Sequence, residues 1–138
     1  MTTTFPHLTS MQHEISTDPA AFGTLHDCTA LLGNPVALRQ FIDTEGYIYL
    51  KGVLDTTKIA AARHVMAERL AAKGHIDTNH PIDECIAAPD TKVAFMPDLA
   101  KDNTPLMEVL YDGAMIDIFT LLLESTVRHY DFTWVRAV

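Results

Sequence analysis

Two stretches bounded by capping residues constrain this chain more than anything else in it. "NPVALRQFIDTEG" offers Asn34 as a cap, Pro35 as a first helical residue and Gly46 as a left-handed stop. "DTTKIAAARHVMAERLAAKG" starts on Asp55 and closes on Gly74, with Ile59, Ala62, Met66 and Leu70 at helical spacing. Between them "YIYLKGVL" is rich in aromatic and β-branched residues, which predicts a short strand ending at Gly52. Helix, strand, helix is therefore the expected opening of the folded part. The alanines of the second helix predict close approach to another element.

Downstream, His75 to Asn103 is punctuated by Pro and Asp, and only "KVAFM" there reads as a strand. A loop of that length inside a compact domain often borders a functional site. "NTPLMEVLYDGAMIDIFTLLLES" then predicts a helix capped by Thr104 with Pro105 first, a break at Asp112-Gly113, and a nearly all-apolar helix buried on most sides. The last stretch, "VRHYDFTWVRAV", alternates. Val127, His129, Asp131, Thr133 and Val135 share one face; Arg128, Tyr130, Phe132, Trp134 and Arg136 share the other. That second face reads as a pocket wall or a packed core. Residues 1–27 have no periodicity and predict a poorly ordered lead-in, leaving 28–138 as the folded part. The alternation runs to Val138 without a turn residue, so the domain is expected to be incomplete at its C-terminal end, since a bare strand edge is a liability.

The 138 residues are 48% hydrophobic and 20% charged, the balance of a folded protein. A net charge of −8 disfavours nucleic acid or an anionic membrane as partner. Cys28 and Cys85 are isolated in the sequence and cannot staple a domain this long. The first residues lack a basic and then apolar leader, and "AMIDIFTLLL" covers about half of a membrane span. A cytoplasmic protein is expected.

Chemistry is sparse. His129-x-Asp131 has the spacing with which one strand can present two ligands of a 2-His-1-carboxylate iron site. The third ligand would have to come from upstream, from His26, His64, His75 or His80. A three-residue motif carries little information by itself, and a surface polar pair is the plainer reading. Asp83, Glu84 and Asp98 read as solvated loop acids, Asp117 as a helix-surface or hydrogen-bonded acid, and Cys28 beside His26 as an inert thiol. No phosphate loop, nucleophile elbow or zinc spacing is present.

Taken in order, "ALRQFIDTEGYIYLKGVLDTTKIAAARHVMAERLAAKG", the long loop, the apolar helix and "YDFTWVRAV" resemble the phytanoyl-CoA dioxygenase family, from about Leu31 to Val138. The resemblance implies an α+β fold: N-terminal helices and the first strands of a double-stranded β-helix (jelly-roll, cupin-like), truncated before its metal-binding strand. It implies Fe(II) and 2-oxoglutarate for the full-length family, a small-molecule substrate, and ligands lying beyond Val138. This chain alone would then bind neither cofactor and be inactive, and His129 and Asp131 would be a decoy. Trp134 and Arg136 fall where the family's pocket-facing residues sit, and Lys92 falls near its cosubstrate region. Two readings compete with this N-terminal fragment of a dioxygenase. One is a small non-catalytic α+β binding or interaction protein; the other keeps His129 and Asp131 as ligands completed from upstream or by a partner subunit.

Overall fold

The computed structural model describes residues 7–20, 22–92, 95–130 and 132–135. Four helices carry the fold: α1 (Pro35–Glu45), α2 (Thr56–Ala72), α3 (Thr104–Leu110) and α4 (Gly113–Leu123). A two-stranded antiparallel hairpin, β1 (Thr9–Ser10) and β2 (His13–Glu14), precedes them, with Thr9 opposite Glu14 and Ser10 opposite His13. Single 3-10 turns occupy Thr29–Leu31, Ile82–Glu84 and Pro97–Leu99.

The helix ends follow the capping chemistry. The Asn34 side chain accepts from the Ala37 N–H at 3.1 Å, and Gly46, at φ +76°, returns its own N–H to the Ile42 carbonyl. Asp55 accepts from the N–H groups of Thr57 and Lys58, at 2.8 and 3.2 Å. At the other end of α2, Gly74 N–H reaches Ala71 O and His75 N–H reaches Leu70 O, both at 2.9 Å. Those two bonds form a Schellman stop, for which the positive φ of Gly74 is required. The α3 cap lies one residue earlier than expected. Asn103, not Thr104, accepts from the Leu106 N–H, at 3.1 Å, and Pro105 is second in the helix. Proline is tolerated there because first-turn N–H groups have no intrahelical acceptor to lose.

The core lies where α2 packs on α3. Ala62, Ala100 and Leu106 are buried together, with Met66, Met107, Leu110 and Val135 against them. Ala67 is fully buried as well. Small side chains on α2 thus let α3 approach, as its alanine content predicts. Leu38 anchors α1, whose Arg39 donates to the Leu121 carbonyl at 3.2 Å and pairs with Glu124 at 2.9 Å. That contact ties α1 to the C-terminal end of α4.

Two expectations are corrected. Among the described residues, neither Tyr47–Leu54 nor the stretch from Val127 forms a strand; the first is held by Cys28 N–H to Tyr49 O (3.0 Å) and Lys51 N–H to Thr29 Oγ1 (2.7 Å). Strand-forming residues do not make a ladder without a neighbour to pair with. The apolar helix α4 is not buried on most sides either. No residue of it is fully covered, and Phe119 and Leu123 are 43% and 62% exposed. Among the described residues it packs on α1 and α3, which cover one side of an apolar cylinder.

Candidate functional site

The long segment after α2 is strapped to that helix at two places. Near its start, Arg63 donates to the Asp83 carbonyl, while His64 Nδ1 lies 2.7 Å from the Asp83 carboxylate. Near its end, Arg69 donates to the carbonyls of Asp98 (2.8 Å), Leu99 (3.3 Å), Lys101 and Asp102 (3.1 Å), and Lys73 pairs with Asp98. A planar guanidinium with several donors suits a cluster of carbonyls that no ladder satisfies. Between the straps, Ile76 bridges Ala87 and His75 Nδ1 meets the Thr91 hydroxyl at 2.8 Å.

This second strap shapes a groove of about 490 Å³ between Ala100–Thr104, Met107 of α3, and Phe132 and Thr133. Its floor is Asn103, which is wholly buried; its side-chain amide donates to Leu99 O at 3.3 Å while its oxygen caps α3. Beside the groove, Tyr111 bonds through its hydroxyl to the Thr133 hydroxyl and stacks on His129. The alternation read in the sequence is therefore real in its facing. His129 and Thr133 meet Tyr111, and Val135 meets the α2–α3 core, while Tyr130 and Phe132 are exposed. Among the described residues the aromatic face is the more exposed one, not the packed core that the sequence also allowed.

Of the residues singled out in the sequence, Trp134 is half-exposed and packs edge-on against Phe95 at 5.3 Å. Asp131 and Arg136 lie outside the described residues, and Lys92 is exposed. His129 Nδ1 approaches the Tyr130 carbonyl at 3.1 Å. His26 pairs with Glu45 at 3.6 Å, and Cys28 is buried with its Sγ against the Tyr49 carbonyl at 3.3 Å; they are not a nucleophile and base. Asp117 is an exposed helix acid in a shallow depression with Arg39 and Glu124. Asp83 and Asp98 are exposed as expected, but Asp83 pairs with His64 of α2 and Asp98 with Lys73, which follows that helix. Those pairings, Arg69 and Asn103 were missed. Only the i, i+4 spacing of His64 and Glu68 signalled a polar face on α2.

Among the described residues no group of three His, Cys, Asp or Glu side chains converges to hold a metal ion. The described residues thus do not fit an iron centre, and no chemical step is derived through one. Among them, no helix is long and apolar enough to cross a membrane.

Comparison with known proteins points to one chemistry. A 1-deoxypentalenic acid 11-beta-hydroxylase of Streptomyces exfoliatus is 44% identical over 57 residues, which cover 41% of this chain and 20% of that protein. The same-named enzyme of Streptomyces arenae is 39% identical over 62 residues, 45% of this chain and 22% of its own length. The chain thus matches about a fifth of the length of these curated relatives. No family profile matches, and no solved structure does. Part of this chain is similar to part of a hydroxylase.

Proposed function

We propose that this chain is the N-terminal portion of an Fe(II)- and 2-oxoglutarate-dependent hydroxylase of the phytanoyl-CoA dioxygenase type, whose iron ligands belong to residues outside this sequence. The observation that carries the reading is the 44% identity over 57 residues with a protein named as a 1-deoxypentalenic acid 11-beta-hydroxylase. The reaction class is then hydroxylation of a small-molecule substrate. The bound iron and cosubstrate would supply the oxidising chemistry. The present residues would supply helical backing for the sheet, with Trp134 and Arg136 on its pocket side.

The competing reading, a self-contained binding protein, requires the molecule to cover its own apolar faces. Phe119 and Leu123 on α4, and Phe132 and Trp134 in the last segment, stay 43–74% exposed, which favours the first reading. The deciding test is to extend the reading frame and assay the longer protein for substrate-stimulated turnover of 2-oxoglutarate with Fe(II). A downstream H-x-D with a later histidine, and iron-dependent turnover, are expected. A stop codon directly after Val138 in the intact gene would refute the proposal.

A further inference from the structure

His64 sits between two carboxylates from different places. Its Nδ1 lies 2.7 Å from Asp83 Oδ1, in the strapped segment, and its Nε2 lies 3.6 Å from Glu68 Oε1, one turn along α2. Arg63, its neighbour on α2, holds the Asp83 main chain, and Glu84 adds another negative charge to the same turn. The helix packed on the other side of α2 brings Glu108 beside Lys58, not beside His64. His64 and Asp83, with Arg63, Ala60 and Ala61, also form the wall of a depression of about 450 Å³. The segment behind this wall, 76–88, is closed on itself by two backbone bonds, Asp77 N–H to Ile86 O (2.8 Å) and Ala88 N–H to His75 O (3.0 Å). Beyond it, the second strap at Asp98–Asp102 is held by Arg69 and Lys73 and contains no histidine.

We propose that His64 and Asp83 form a proton-sensitive latch that fastens the 76–88 segment to α2 when His64 is charged and loosens it when His64 is neutral. Only one of the two straps contains an imidazole. The hydrogen bond to Asp83, then its negative charge, raise the His64 pKa above the usual imidazole value, and Glu68 adds to this. The sign follows. A folded-state pKa above the unfolded one gives a contact fully present below the unfolded value and lost as pH rises through the folded value. The segment should be fastened in mildly acidic solution and looser above neutrality. Loosening would open the depression that His64 and Asp83 wall.

The test is amide hydrogen exchange on the intact chain, read as a ratio. Protection of Asp77 and Ala88 is divided by that of Leu99 and Ala100, whose N–H groups bond to Met96 O and Pro97 O beside the second strap. The ratio cancels the intrinsic pH dependence of exchange. Between about pH 5 and about pH 8 it should fall roughly two- to fivefold, the scale of one exposed charge pair. The fall should vanish in both H64Q and D83N. His75 and His80 lie in or beside the same segment, so an equal fall in a folded H64Q would assign the effect to them and overturn the latch. A flat ratio in the wild type would overturn it too. Should either variant fail to fold, wild-type NMR decides: the His64 titration midpoint must coincide with the loss of protection within about 0.5 pH unit, and a clear mismatch defeats the proposal.

Discussion

The Tyr111 ring lies flat against the imidazole of His129, with centroids 3.7 Å apart and planes 17° from parallel. That stack engages one face of the first residue of the H-x-D triplet, which is otherwise exposed. A ligand histidine must present a ring nitrogen to the metal and usually donates from the other to a carboxylate or carbonyl. Here Nδ1 approaches the main-chain carbonyl of Tyr130, and no described His, Cys, Asp or Glu side chains complete a cluster around the ring.

Titration with Co(II) should therefore give the same weak affinity for wild type and His129→Ala. A drop of about tenfold or more in the variant would show that the triplet ligates after all.

Among the described residues Asn103 is the buried polar side chain, and both its nitrogen and its oxygen are hydrogen-bonded. Asn103→Ala should destabilise the fold by about 1–3 kcal/mol, through the lost cap and the stranded Leu106 N–H. Thr104→Ala should cost far less, since that hydroxyl does not cap α3. Urea unfolding of the two variants checks the order.

Arg69 bonds four carbonyls at once, so Arg69→Lys is not conservative. The variant should lose about 1–2 kcal/mol, and it should lose exchange protection at Leu99–Asn103 before the α2–α3 core opens. Uniform loss across the chain would contradict the strap.

Acid should loosen the start of α2. The N–H groups of Lys58 and Thr57 hold the Asp55 carboxyl below its usual range, and Thr29 does the same for Asp27. A depressed folded pKa gives stability that is present above the unfolded value and lost as pH falls through the folded one. Helicity should therefore decline on acidification below about pH 4, and Asp55→Asn should reduce that dependence. Circular dichroism across the acid range measures it.

What the residue order determined by itself was local. The start and stop of α1 and α2 follow from Asn34, Pro35, Gly46, Asp55 and Gly74, because a cap is satisfied within three or four residues of itself. In the last segment the sequence showed an alternation but not which face is covered: Thr133 and Val135 meet the helices, while the aromatic residues, read as a pocket wall or packed core, are exposed. The tertiary structure decided everything that needs a distant partner. Asn103 and Thr104 are both capping types, and the burial of Asn103 beneath Leu99 chose between them. Strand propensity at Tyr47–Leu54 did not become a ladder, and the apolar sequence of α4 did not become burial, because both require a neighbouring surface that composition cannot supply. His64 met Asp83 only because an irregular loop folded back over α2.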